Sequence, residues 1–241
     1  MEGLELTEIV PEPVAGRVYG EALRPGIADV TSTGRARLDA MARWLQDVAY
    51  RDLIDAGFDG PGVWIVRRMR VRVGRFPRFG DELVVRTFCS GTGRFSAERH
   101  TSITGDGAKV ETVSHWVYLD PETLRPLRFP EEFLALYSES AAGRPAPIRL
   151  RHSVPEEGEE SPWRFRASDL DIAGHVNNSH YWEPLEEELL DGGEEPASID
   201  AEIEHHAPAQ PGDAVIHRKD AWTWVTSPDG ELQASIVRAG G

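Results

Sequence analysis

Two separated stretches of this chain carry the same punctuation in the same order. Such a chain folds as two copies of one unit more readily than as one irregular domain. Asp29-Val-Thr-Ser-Thr33 and Asp171-Ile-Ala-Gly-His175 each precede an apolar run at helical spacing. Phe76-Pro-Arg-Phe-Gly80-Asp81 and Ala207-Pro-Ala-Gln-Pro-Gly212-Asp213 each follow the next strand-like run. In the first copy Leu38, Met41, Leu45, Val48 and Ala49 share a helix face, with Thr31, Ser32 or Thr33 as cap and Gly57 as stop. In the second, Tyr181, Leu185 and Leu189 recur four apart, widened by Trp182 and Leu190. Matching the aspartates sets Thr33 against His175, so site chemistry is expected in the second copy alone.

Around these helices the pattern is β-rich. Glu8 to Gly20 reads as a strand, then Val63 to Val73, Asp81 to Cys89, Arg94 to Ile103 and Lys109 to Leu119 as an antiparallel meander. Gly105-Asp-Gly107 and Ser227-Pro-Asp-Gly230 are hairpin turns. Arg164 to Ser168, Ile199 to His206, Ala214 to Val225 and Glu231 to Arg238 supply the second set of strands. Residues 141–162, rich in Pro, Gly, Glu and Arg, divide a unit at 1–140 from one at 163–241 as an exposed linker. The class is α+β, each half an antiparallel sheet wrapped around one long helix.

Composition removes several functions. The 241 residues carry a formal charge of −15, which disfavours nucleic acid and anionic membranes as partners. No run approaches the roughly 18 apolar residues of a membrane helix, and the acidic first ten residues lack a signal peptide's basic start. One cysteine, Cys89, permits no internal disulfide and fits a reducing cytoplasm. His205 and His206 point to opposite faces of a strand, and His175 and His180 are five apart; neither spacing suits a metal, and no cofactor is expected.

The stretch Ser168 to Leu190 is the most specific. Asp171, His175, Val176, Asn177, Asn178 and Tyr181 match Asp-x-Asn-x-His-Val-Asn-Asn-x-x-Tyr, so the stretch resembles the catalytic half of bacterial acyl-acyl carrier protein thioesterases. WIVRRMRVRVGRFPRFGDELVVRT and SHWVYLDPETLRPLRFPEEF resemble that family's first half, and the resemblance spans most of Ile9 to Val237. It implies a tandem double hot-dog fold and hydrolysis of a fatty acyl thioester in the cytoplasm, without metal or redox cofactor. By the same resemblance His175 polarises the water or thioester, and Asp171 fixes the histidine or acts as base. Asn177 completes the cluster, and amides near Val176 and Asn177 receive the oxyanion. The chain departs from the pattern at Ala173, where the family has asparagine. It departs again at Glu204-His205-His206-Ala207, where Ala207 replaces a cysteine, leaving Glu204 or His206 as a base in shifted geometry.

Met41, Trp44, Leu45 and Val48 are the expected walls of an acyl tunnel. Arg70 and Arg72, with Arg68, fall on one strand face. They either balance nearby carboxylates or grip the phosphates of coenzyme A or an acidic carrier protein. The partner is thus an acyl carrier protein or coenzyme A thioester, and a homodimer is compatible with sheet-to-sheet pairing of such halves. The rivals are an acyl-coenzyme A thioesterase and a non-catalytic acyl-binding protein, the second favoured by Ala173 and Ala207. Asn177 and Asn178 also read as structural residues bonding across to the other half.

Overall fold

The computed structural model describes residues 5–155, 157–193 and 195–239. In chain order the elements are β1 (Tyr19–Leu23), α1 (Leu38–Asp55), β2 (Val63–Arg75), β3 (Leu83–Thr92), β4 (Ser96–Gly105), β5 (Ala108–Leu119) and α2 (Glu131–Ala141). After a crossing segment come β6 (Glu159–Phe165), α3 (Glu183–Asp191), β7 (Ile199–His205), β8 (Gly212–Lys219), β9 (Trp222–Thr226) and β10 (Leu232–Arg238). One antiparallel sheet orders these strands β1-β3-β4-β5-β2-β7-β10-β9-β8-β6. The order is a palindrome about the β2–β7 seam, as two copies of one unit joined edge to edge require. No described helix is long and apolar enough to cross a membrane.

Both helices pack on one face of the sheet. Met41, Leu45 and Val48 of α1 and Tyr181, Trp182 and Leu185 of the second helical stretch share a core with Val71, Val73, Ile103, Val110, Ala201, Ile203, Val225 and Ile236. Each such side chain contributes about 1.5–3 kcal/mol when fully buried, against about 1 kcal/mol for a helix cap. Packing therefore outweighs capping, and α1 forms although its N-cap residue, Arg37, makes no side-chain cap. The cap comes from the other half: the Leu38 amide donates to the Glu186 carboxylate on α3 at 3.0 Å. Thr31, Ser32 and Thr33 lie several residues ahead of the helix. The second helix is the shorter, a 3₁₀ turn over Asn178–Trp182 running into α3.

The repeat holds, but its register differs by two residues from the aspartate match. Thr31 donates its amide to the Arg35 carbonyl at 2.8 Å, as Asp171 does to His175 at 3.0 Å. Arg37 donates to Asp29, as Asn177 does to Asp169, both at 2.9 Å. Ala36 bonds Pro77 at 2.8 Å, as Val176 bonds Ala209 at 3.1 Å. Asp29 is thus the counterpart of Asp169, and Arg35, not Thr33, stands where His175 stands. Gly34 and Gly174, both at positive φ (88° and 75°), occupy the same point of the turn.

Four other expectations change. Glu8 to Gly20 is largely irregular; the strand is Tyr19–Leu23, on the sheet edge beside β3, and the prolines before it explain the delay. Ala214 to Val225 breaks into β8 and β9 at a tight turn with Asp220 at φ 53°. The strand expected at Arg164 begins earlier, at Glu159, within the stretch read as linker. Helix α2, which follows the meander, was not expected; Phe133, Tyr137 and Ala141, four apart, are its buried stripe.

The outer face of the sheet is polar yet covered. Residues 144–153 cross it and are pinned by hydrogen bonds: Ser96 Oγ to the Ala146 carbonyl (2.6 Å), Arg68 to that of Arg149, and Trp224 Nε1 to that of Ser153 (2.9 Å). The amides of Arg151 and His152 both donate to Glu204 at 2.9 Å. The stretch expected to be exposed therefore shields a row of buried charges.

Candidate active site

The loop 169–177 is built by its own hydrogen bonds. Leu170 and Val176 form a bridge, Gly174 makes the turn, and Asp171 Oδ1 accepts the Ala173 amide at 2.8 Å. Val176 is buried in the core, so Asn177 emerges on the other side of the extended segment. Its Oδ1 accepts from the Ser179 amide (3.0 Å) and hydroxyl (2.7 Å), which caps the 3₁₀ turn. That bond leaves Nδ2 to face Asp171 Oδ2 at 3.2 Å. Gln46 of α1 meets the same carboxamide, donating to Oδ1 at 3.0 Å and accepting from Nδ2 at 3.3 Å. Asp171 and Asn177 are therefore together, and Asn177 bonds across the two halves as its structural reading expects.

A cleft of about 1370 Å³ starts at this cluster and runs along α1. Asp171, Ala173, Asn177, Ser179 and His180 line its mouth. Gln46, Tyr50, Leu53 and Ile54 form the α1 wall, and Phe58, Trp64, Cys89, Ala97 and Phe133 its far end. Phe133 comes from α2 and packs tilted against Trp64 and edge-on against Phe58 at centroid distances of 5.2 and 5.4 Å, so the unforeseen helix closes the cleft. Of the four expected tunnel residues only Trp44 lines it. Met41, Leu45 and Val48 face the sheet core instead. Burial pushes the Cys89 thiol up to about 11, which removes it as a nucleophile.

His175 is half-buried, its ring makes no hydrogen bond among the described residues, and it does not line the cleft. Glu204 and His206 lie elsewhere. Strand alternation puts Ile203 and His205 on the helix face, where His205 packs edge-on against Tyr181 at 5.3 Å. Glu204 and His206 are on the outer face, under the crossing segment: Glu204 pairs with Arg68, and His206 Nε2 bonds Ser235 Oγ at 2.9 Å. The sheet separates them from Asp171. Burial, with the charges of Arg67 and His206, pushes His205 down to about 3, so it remains neutral packing.

The expected oxyanion donors are also spent: the Val176 amide bonds Ala209 and that of Asn177 bonds Asp169. The first free position is Asn178, whose amide has no acceptor among the described residues. Its counterpart in the first half, Leu38, is closed by Glu186, and Gln46 stands where Glu186 stands in the repeat. A carboxylate blocks the helix start in one half; a neutral carboxamide, turned toward Asn177, leaves it open in the other.

His152, Glu202 and Glu204 hold ligand atoms within 4.8 Å of one another. Arg68 lies between the two carboxylates, and the amides of Thr7, Arg151 and His152 already donate to them. Burial alone would raise Glu202, yet bonds from His152 and Thr7 and the charge of Arg68 bring it down to about 2. The cluster is an ion-pair network rather than a cation site. Arg70 belongs to the same face, bidentate to Asp200 at 2.8 and 2.7 Å and bonded to the Thr7 carbonyl. Arg72 pairs in register with Asp200 and Glu111. Arg68 and Arg70 thus balance carboxylates on the side away from the cleft, with Arg72 beside them on the same strand face. Arg70→Ala with Arg72→Ala is expected to leave KM for acyl substrates within about twofold and to cost about 1 kcal/mol in a thermal melt. A several-fold rise in KM would return the stripe to substrate binding.

Models of the acyl-ACP thioesterase N-terminal and C-terminal domains match residues 16–137 and 152–233. An uncharacterized protein of Mycobacterium tuberculosis is 26% identical over 213 residues, covering 87% of this chain and 85% of its own length. Oleoyl-acyl carrier protein thioesterase 1 of Arabidopsis thaliana is 26% identical over 212 residues, 73% of this chain and 57% of that protein. In structure the chain is similar to an acyl-ACP thioesterase from Bacteroides thetaiotaomicron, with TM-score 0.76 and 17% identity over 92% of this chain and 96% of that one. It is also similar to the 12:0-ACP thioesterase from Umbellularia californica, with TM-score 0.70 and 16% identity over 93% and 97%. These likenesses give the double hot-dog fold. With both domain models matched in order, this chain belongs to the acyl-ACP thioesterase family.

Proposed function

We propose that the protein hydrolyses fatty acyl thioesters of acyl carrier protein. The acyl chain lies along α1 in the cleft and the thioester sits at the mouth beside Asp171 and Asn177. The observation that carries this placement is that the motif's Asp171 and Asn177 open directly onto an elongated cleft with an aromatic far end. Asp171, held by the Ala173 amide and Asn177, presents a fixed acceptor to a water. The open amide of Asn178 receives the carbonyl oxygen as it becomes an oxyanion. Attack forms the carbon–oxygen bond; collapse breaks the carbon–sulfur bond and releases fatty acid and thiol. Gln46 supplies from α1 the carboxamide that position 173 lacks, and His175 adds an imidazole at the base of the turn. The unpaired, buried Cys89 suits a cytoplasmic setting.

Steady-state hydrolysis of matched acyl-carrier-protein and acyl-coenzyme A thioesters tests this. Higher kcat/KM on the carrier protein is expected; preference for coenzyme A would make that the substrate, and binding without turnover would favour a non-catalytic protein. Phe133→Ala should shift preference toward longer chains by opening the far end, at about 3–5 kcal/mol in stability. An unchanged chain-length profile would place the end of the acyl chain elsewhere.

A further inference from the structure

His180 lines the cleft mouth beside Asn177, yet nothing in the thioesterase motif assigns it a role, and the sequence weighed it only as a metal ligand. Three residues make one 3₁₀ turn, so Asn177, His180 and Glu183 fall on one face, each about 6 Å from the next along the axis. His180 Nδ1 bonds Glu183 Oε1 at 2.7 Å. That bond fixes the tautomer: the proton sits on Nδ1, and Nε2, which has no partner among the described residues, is left with its lone pair. The ring is 18% exposed, so it is held by packing while remaining open to the cleft. A base in a cleft, oriented by a carboxylate and next to a polar substrate-binding group, is the arrangement that general base catalysis needs. His175 shows neither feature, since it does not line the cleft and its ring has no orienting partner among the described residues.

We infer that His180 is the proton-transfer residue of the hydrolysis and Glu183 its positioning residue. The inference rests on the thioesterase reading above. Nε2 takes a proton from the water that Asp171 holds as the water oxygen bonds to the carbonyl carbon and the carbonyl electrons move to oxygen. On collapse the carbon–sulfur pair leaves with sulfur, and the imidazolium returns its proton to the thiolate, so protons and electrons balance without a co-reactant. The surroundings set the working range. The hydrogen bond His180 donates to the Glu183 carboxylate raises His180 above the usual imidazole value, with burial opposing it. Asp169 adds to the rise, and Arg43 of α1, itself paired with Asp29 and Asp39, opposes it. A base must be deprotonated to act, so activity should fall at a pH above that of an ordinary histidine and move lower when Glu183 is neutralised.

The test is the pH dependence of kcat/KM on one acyl-carrier-protein thioester for wild type, His180→Gln, His180→Ala, His175→Ala and Glu183→Gln. His180→Gln and His180→Ala are expected to lose about 10²–10⁴-fold. His175→Ala should lose less, and Glu183→Gln should keep measurable turnover with its acid limb shifted to lower pH. A structural pair would change melting temperature without moving that limb. If both His180 variants stay within about threefold of wild type while His175→Ala collapses, the dyad is overturned and the thioesterase reading survives. An unmoved acid limb in Glu183→Gln would likewise overturn it. A wild type without turnover would sink both.

Discussion

Asp171→Ala is expected to lower kcat/KM on acyl-carrier-protein thioesters by at least about a hundredfold, the lower end of what a positioned polar catalyst contributes. The carboxylate is held at both oxygens, by the Ala173 amide and by Asn177, so its orientation toward the cleft is fixed before substrate arrives. Such preorganisation is what a water in a thioester hydrolase needs. Asp171→Asn separates charge from shape. Its amide keeps an acceptor for Ala173 but turns a donor toward the donor of Asn177, and it should lose nearly as much. Neither change removes core packing, so melting should move little. Turnover within threefold of wild type in both variants would remove Asp171 from the chemistry.

Glu186→Ala is expected to cost about 3–5 kcal/mol, the scale for breaking a buried pair. For a chain of this length that lowers the melting temperature by roughly 6–20 °C. Glu186 is 3% exposed and accepts both from Arg35, 2% exposed, and from the Leu38 amide. Its loss leaves a buried guanidinium with only Glu195, 3.5 Å from Nε, as counter-ion, and uncaps α1 at once. The cost should fall most heavily on the union of the halves, because Arg35 and α1 lie in one and α3 in the other. Arg35→Met with Glu186→Leu should recover most of the loss, since an apolar pair of similar volume removes the stranded charge. A melt shifted by under 2 °C in Glu186→Ala would show that the pair does not hold the halves together.

Much of the fold was legible because it is written in local patterns. The meander strands and the Gly105-Asp106-Gly107 turn fall where alternation and turn chemistry place them, and the α1 stripe of Met41, Leu45 and Val48 reads directly as core. The repeat was visible too, but its register was not. Aspartates were the conspicuous marks, whereas the equivalence runs through backbone bonds and through Gly34 and Gly174, whose positive φ marks the same turn. Helix α2 hid behind a proline-rich exit, although Phe133, Tyr137 and Ala141 carried a one-face signal.

The candidate site was legible only where it is contiguous. Asp171 and Asn177 could be found in one loop. Gln46, more than a hundred residues away, could not, because its place depends on how α1 crosses the second helical stretch. Glu204 and His206 misled for a related reason. Strand parity is readable, but which face looks at Asp171 depends on the β2–β7 seam, and that seam turns Glu204 toward Arg68. Met41, Leu45 and Val48 have the apolar character of tunnel walls, and only the sheet beneath them shows that they are core.

In the function proposed above, the acyl chain enters the cleft along α1 and its thioester stops at Asp171 and Asn177. A crystal structure with a non-hydrolysable acyl-phosphopantetheine amide tests it most directly. The expected density runs past Tyr50 and Leu53 toward Phe133, with the amide carbonyl within hydrogen-bond reach of the Asn178 amide. The second cavity, of about 1370 Å³ beside α3 and lined by Thr31, Trp163, Glu186 and Val215, is the natural competitor. Density there, with the α1 cleft empty, would overturn that placement and move the site from Asp171 and Asn177 to the α3 side of the molecule.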